Sequence, residues 1–251
     1  MTHSAKDLRL QPSECLTCHL GTLGYGEAWS LQQRLHAGRV AGRIPDVLLL
    51  LEHPPVYTIG KSGDPKDLLL SRQQLEERGI ELYHVDRGGG ITYHGPGQLV
   101  GYLVMDLQAW GSSVRRFVWG VEEILIRTLA SFGVDSSRRG GYPGVWVDGK
   151  KIASIGLRVR RWVSMHGFAL NVLTDLSDFH GIVPCGLRAV QMTSMEQCCG
   201  NGIRVQQVVT RVIEELRSVL GRNARSLERA ELEGMLTCGQ NKRVCEHESE
   251  R

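Results

Sequence analysis

Two helical periods and a series of short apolar runs organise the chain. Val114, Phe117, Val118, Val121, Ile124, Leu125, Leu129 and Phe132 recur at a spacing near 3.6 residues, predicting an amphipathic helix that begins near Ser113. Val205, Val208, Val209, Val212, Ile213, Leu216 and Leu220 repeat the pattern over about 205–220. The apolar run in "DVLLLLEHPPVYTIG" (46–60) is too short for a helix and ends at Pro-Pro, which predicts a buried strand. "IELYHV" (80–85) and "QLVGYLVMDL" (98–107) read as further strands. "SRQQLEERG" (71–79) is a short helix with Ser71 and Gln74 in capping-box spacing and Gly79 as its stop.

A hairpin signal follows the first long helix. "GVWV" and "KKIASIGLRVRR" flank Asp148-Gly149, the pair that a two-residue hairpin turn favours. "VSMHGFALNV" (163–172) extends the meander. Strands and helices interleave irregularly, so the expected class is α+β around a mixed, mainly antiparallel sheet rather than a doubly wound parallel one. After Gly221 the sequence turns polar and charged. The expected organisation is one domain over 12–221 and a polar C-terminal extension over 222–251, with at most a short helix near 226–236 and a frayed end.

The 251 residues are 41% hydrophobic and 23% charged, as in ordinary globular chains. No apolar run approaches the roughly 18 residues that span a bilayer, and the N-terminus has neither an apolar core nor a transit-peptide bias. The expected compartment is the cytoplasm, or an organelle matrix after loss of a leader. A net charge of +3 is too small to imply nucleic-acid binding. Seven cysteines, an odd number with no secretory signal, argue against a disulfide framework. "CLTCH" (15–19) fits the C-x-x-C-H pattern of haem attachment. That chemistry needs export, no second ligand pair for zinc follows, and the stretch runs directly into an apparent strand and helix.

Four loop-like segments carry the candidate chemistry: "RGGGITYHGPGQ" (87–98), "GKKIASIG" (149–156), "MHGFALN" (165–171) and "IVPCGL" (182–187). Gly88, Gly89 and Gly90 allow a backbone to approach a ligand or a long apolar chain closely. No phosphate-binding G-x-x-x-x-G-K-[ST] is present. Cys185 stands on a bend between Pro184 and Gly186, an unusual place for a packing cysteine. With an ordinary pKa near 8.5, only about 3% of such a thiol is thiolate at neutral pH, so a nucleophile there needs a neighbouring cation. Lys150-Lys151 offers one. Strand alternation sends the two ammonium groups to opposite faces, and Lys151, ahead of the small residues of "IASIG", is the better inward candidate. His94, His166 and His180 are rival partners that periodicity does not separate. Arg138, Arg139, Arg158, Arg160 and Arg161 form basic clusters suited to an acidic partner.

At these residues the sequence resembles the lipoyl(octanoyl) transferases of the LipB type. "RGGGITYHGPGQLVGY", "GVWVDGKKIASIGLRVRRWVSMHGFALNV" and "HGIVPCGL" carry the resemblance, with "LLLLEHPPVYTIGK" and "LGYGEAWSLQQRL" earlier, in order over roughly 16–220. The resemblance implies a single catalytic domain of the biotin/lipoyl protein ligase type. It implies transfer of octanoyl from acyl carrier protein to a lysine of lipoyl domains, in 2-oxoacid dehydrogenase complexes and the glycine cleavage H protein. Cys185 would carry the acyl group as a thioester, and Lys151 would lower its pKa and move protons. Arg87, Gly88, Gly89, Gly90, Ile91, Thr92, Tyr93, His94, Ser154, Ile155, Gly156, Gly167, Phe168 and Ala169 would line the substrate pocket. No cofactor, metal, nucleic acid or membrane is implied. The backbone around Gly186 and Leu187 would be free to hold an oxyanion. Three other readings stand beside it: an ATP-dependent lipoate or biotin ligase, octanoyl transfer between lipoyl proteins, and a non-catalytic lipoyl-domain binder.

Overall fold

A computed structural model describes residues 14–184, 190–200 and 202–236. β1 (Glu14–Thr22) and β2 (Asp46–Glu52) lie parallel, joined by α1 (Tyr25–Val40). Residues 47–51 are all buried because β2 is central and covered on both faces. Leu48 and Leu50 point to one core, and Val47, Leu49 and Leu51 to the other. The chain turns at Pro54-Pro55 and leaves the large sheet. It builds a three-stranded one from β3 (Val56–Ile59), β4 (Glu81–His84) and β5 (Ile91–His94), in the order β4-β3-β5. Between β3 and β4, α2 (Arg72–Arg78) carries the full capping box at Ser71 and Gln74 and stops at Gly79 with φ +64°.

β6 (Gln98–Val104) returns to the large sheet antiparallel to β2. α3 (Val114–Ala130), N-capped by Ser113, leads to β7 (Ser137–Arg139), β8 (Tyr142–Val147), β9 (Lys150–Arg160) and β10 (Val163–Asn171). Asp148 and Gly149 both have positive φ, as the turn that fits strand twist requires. The short α4 (Met195–Cys199) and then α5 (Val205–Leu220) follow, and β11 (Asn223–Ser226) completes the order β11-β1-β2-β6-β10-β9-β8-β7. Phe117, Val121 and Leu125 of α3 pack with Val208, Val212 and Leu216 of α5 on one face. Ala28, Leu31 and Leu35 of α1 cover the other. The fold is thus α+β around a mixed, mainly antiparallel sheet.

Packing continues through residue 221. β11 pairs in parallel with β1, and the helical residues 229–236 bury Leu232 completely against α1's core. Arg222 reaches Asp46 at 2.9 Å. Asp46 is 0% exposed and also receives Arg39 at 2.7 Å and the Asp106 N–H at 3.0 Å. A polar composition hid this because one aspartate and one leucine do the anchoring. The "CLTCH" stretch is a strand whose Cys15 and Cys18, an odd number of residues apart, enter opposite cores. They do not form a ligand pair. Among the described residues no helix is long and apolar enough to cross a membrane.

Removing one member of a buried, paired charge set leaves the others desolvated and uncompensated. Asp46→Asn, which keeps the shape, is expected to lower unfolding free energy by about 3 kcal/mol. Urea denaturation of the two proteins checks this, with equal midpoints contradicting it.

Candidate active site

The glycine-rich loop is laid over the large sheet by backbone contacts. Lys61, Ser62 and Gly60 donate their N–H groups to the carbonyls of Arg87, Gly89 and Gly90, tying the loop to the end of β3. Gly88 N–H donates to Leu157 O of β9 at 2.9 Å. A Cβ at Gly60 would stand 2.4 Å from Gly89 O, and one at Gly156 would stand 2.9 Å from Gly88 O, so both positions require glycine. The Arg87 guanidinium folds beneath the loop, donating to Thr58 O at 2.6 Å, Thr58 Oγ1 at 2.8 Å and Gly88 O at 3.0 Å.

Between loop and sheet runs a cleft lined by Arg87, Gly88, Gly89, Gly90, Ile91, Thr92 and His94 above, and by Ser154, Ile155, Gly156, Gly167, Phe168 and Ala169 on β9 and β10. Lys151 lines it too and is 5% exposed, while Lys150 is exposed. Tyr93 alternates away from the cleft and packs edge-on to Tyr57 and Phe179 at 5.7 and 5.5 Å, because Thr92 and His94 occupy the other face of β5. Cys185 lies in 185–189, outside the described residues, as do Gly186 and Leu187. His180 is exposed on the turn Leu176–Gly181 and does not line the cleft. Tyr25, Val100, Tyr102 and His166 complete the lining. Alternation in "QLVGYLV", with Gln98, Val100 and Tyr102 on one face, was the signal for two of them.

Lys151 is held from both sides. Its N–H donates to Gln191 O at 2.8 Å, its carbonyl accepts Thr193 N–H at 3.0 Å, and its ammonium lies 5.4 Å from the centre of the Trp146 ring. The segment that resumes after 185–189 is therefore clipped to Lys151. On its other side, Val183 N–H donates to Asp67 O at 2.7 Å.

Three imidazoles beside the cleft are held neutral with defined tautomers. Gln98 Nε2 donates to Tyr93 O and to Asn171 Oδ1, and Asn171 Nδ2 donates to Thr193 O. Backbone carbonyls only accept, so both amides are fixed. Gln98 Oε1 must then accept the His94 Nδ1–H at 2.7 Å, which leaves Nε2 as the lone-pair nitrogen. Burial pushes the His94 pKa down to about 3. His53 donates Nδ1–H to Leu23 O, accepts the Tyr102 hydroxyl at 2.7 Å on Nε2, and is pushed by burial to about 4. His166 sits at φ +60°, and burial lowers its pKa despite Asp86. Its Nε2 lies 2.9 Å from Asp86 Oδ1, and Arg158 holds the other carboxylate oxygen at 2.7 Å. Burial works to raise the Asp86 pKa, but His166 and Arg158 outweigh it and keep the group below the usual carboxylate value.

The expected basic surface is partly neutralised from within. Arg138 pairs with Glu122 and Glu123 and lies over Trp119, and Arg158 is taken by Asp86. Arg139 lies over Tyr142 and Trp146, and Arg160 and Arg161 are exposed.

Comparison with known proteins gives a consistent result. The profile of the lipoyl protein ligase A/B catalytic domain matches residues 24–217. A protein of Caldicellulosiruptor saccharolyticus named octanoyltransferase is 43% identical over 221 residues, covering 87% of this chain and 94% of the relative. One of the same name from Gloeobacter violaceus is 49% identical over 195 residues, covering 77% and 85%. Among solved structures, a bipartite lipoate protein ligase of Thermoplasma acidophilum superimposes with a TM-score of 0.69 at 19% identity, over 89% of this chain and 90% of that one. Lipoate-protein ligase A bound with ATP gives 0.68 at 16% identity, over 90% and 92%. At such identities these structures show a shared fold.

The neutral histidines fix the sign of acid sensitivity. Their folded pKa values are depressed, so below about 6.5 the unfolded chain takes up protons that His53 and His94 refuse in the fold. Stability is fully present above that pH and is lost progressively as pH falls toward 4. The slope is about 1.4 kcal/mol per pH unit for each imidazole. Calorimetric melting from pH 7.5 to 4.5 checks this, and His94→Gln is expected to fall less steeply than wild type.

Proposed function

The chain belongs to the lipoyl protein ligase A/B catalytic-domain family, and on that premise we propose that it is an octanoyltransferase acting through a thioester on Cys185. Octanoyl transfer is the activity for which its relatives of 43–49% identity are named. The observation that carries the mechanism is the clip at Lys151. A nearly buried lysine on the cleft is hydrogen-bonded through its own backbone to the segment that follows residues 185–189.

In the first half-reaction the Cys185 sulfur attacks the carbonyl carbon of the octanoyl thioester. The new C–S bond forms as the carbon–sulfur bond to the donor breaks. Lys151 takes the thiol proton and returns it to the leaving thiolate. In the second, the neutral amine of an acceptor lysine attacks the acyl-enzyme. A C–N bond forms, the bond to Cys185 breaks, and the amine's surplus proton passes through Lys151 to the sulfur. Thioester-to-thioester exchange is near balance and thioester-to-amide runs downhill, so no activation of the acid is needed. The small residues Gly156, Gly167 and Ala169 give the chain a smooth bed, and Lys151 lines the same cleft. The donor in this reading is octanoyl-acyl carrier protein. The acceptors are lipoyl domains of 2-oxoacid dehydrogenase complexes and the glycine cleavage H protein.

Intact-protein mass spectrometry after mixing with octanoyl-acyl carrier protein, without ATP, tests the reading. Wild type is expected to gain one octanoyl group, about 126 Da, that hydroxylamine removes, and Cys185→Ser to gain none. An equal adduct on both proteins, or none on either until ATP and free octanoate are added, would overturn the Cys185 mechanism.

A further inference from the structure

Lys151 reaches the cleft because β9 is irregular. In an unbroken strand it would share a face with Ala153, Ile155 and Leu157, which turn into the core beneath α3 and α5. The register with β8 slips instead. Val145 pairs with Ala153 and Trp146 with Lys151, which leaves Ile152 as an extra residue on β9. Ile152 and Ala153 are consecutive, yet both are 0% exposed and both enter that core, so the alternation reverses there. Lys151 emerges on the side of Ser154 and Gly156, where the cleft runs. Re-aiming a side chain is what a bulge beside a functional site does.

Two residues of β8 receive the lysine. A Cβ at Gly144 would stand 2.7 Å from Lys151 Cε and 2.4 Å from Ala153 O, and Gly144 has φ +136°, so glycine alone leaves room for the stem. Trp146, on the same face of β8, puts its ring centre 5.4 Å from Lys151 Nζ. Trp146 is 3% exposed and stands outside the cleft lining, and its Nε1–H donates to Tyr142 O at 3.4 Å, which orients the ring. Arg139 lies 5.0 Å from the same ring centre. An indole face attracts a cation without supplying a countercharge, by a factor of roughly thirty once both are desolvated. It fixes the ammonium and leaves its charge available to an anion in the cleft, a charge that pairing with a carboxylate would cancel. We propose that Trp146 is a positioning residue for acyl transfer, its indole face holding the Lys151 ammonium at the cleft where the Ile152 bulge and the bare Gly144 have aimed it. The proposal rests on the acyl-transfer reading above.

Fluorinated tryptophans placed at position 146 of the full chain by nonsense suppression test it, because one, two and three ring fluorines drain the π face while barely changing the size of the ring. The rate of octanoyl loading from octanoyl-acyl carrier protein is the readout. The logarithm of the maximal rate is expected to fall in even steps, to a loss of at least about tenfold at three fluorines, with the half-saturating donor concentration unchanged. Trp146→Phe, which keeps a weaker face, is expected to lose less than Trp146→Leu. A rate that stays flat across the fluorine series, with or without a loss in Trp146→Leu, reduces the indole to packing and overturns the proposal. The contact is read apart from the chemistry by the ring-current shift of the Lys151 ε-methylene protons, expected in wild type and lost in Trp146→Leu. Equal resonances in the two proteins overturn the proposal while leaving the acyl-transfer reading in place. Loading by no protein, wild type included, fails the acyl-transfer reading itself, and the positioning role with it.

Discussion

The hydrogen bond from Gly88 N–H to Leu157 O joins a loop of the small sheet to a strand of the large one across a gap that admits no side chain at Gly60 or Gly156. Two hydrophobic layers normally meet through side chains, at about 10 Å between sheets. Here backbone meets backbone at Gly88 and Leu157, and the cleft lies beside that contact. The buried Arg87 makes the arrangement rigid, because its donors hold Thr58 and Gly88 O together beneath the loop. A charge that deep is tolerated because its donors are satisfied by oxygens. Substituting any of these glycines therefore changes the shape of the cleft before it changes its chemistry.

A chain of amides connects the cleft wall to the strand that bears the lysine. His94, Gln98, Asn171 and Thr193 are linked in sequence, and Thr193 N–H ends on the Lys151 carbonyl. Each member is fixed by a carbonyl that can only accept, so the network has one arrangement of protons, not two. A fully satisfied buried network of this kind specifies position more than it adds stability. It sets His94 and Lys151 in a constant relation although they come from different sheets.

The sequence reveals this architecture unevenly. Periodicity located α3 and α5, the capping box located α2, and Asp148-Gly149 located the β8–β9 turn, because each is a local rule met by local residues. The β9–β10 turn uses Arg161 and Trp162 at φ +52° and +61°, and nothing in that dipeptide signals a left-handed pair. β11 went unseen because its pairing with β1 joins residues some 210 positions apart in a polar stretch. The cleft residues on loops were legible as glycines with no packing task. Tyr93 stands apart from the other residues of "RGGGITYH" because period-two alternation in β5 turns every second side chain outward. Tyr25 and His53 carried no signal, since their neighbours come from α1 and the small sheet, brought together only by the fold.

Stability and chemistry draw on separate parts of the sheet. Asp46, with Arg39 and Arg222, closes the edge where β11, β1 and β2 meet, whereas the cleft lies over β6, β10 and β9. His166, in a left-handed conformation and with a buried nitrogen unpartnered, is the kind of defect that costs about 1–3 kcal/mol and persists only where the surroundings over-determine it. Its neighbours do so. Gln32 accepts its N–H from α1, Asp86 fixes the ring, and pairing with β9 through His166 and with β6 from Gly167 onward holds the strand around it. A residue held at such expense inside a cleft wall marks a shape that packing alone would not choose. The two well-packed cores on either side of the sheet supply the margin that lets this shape survive.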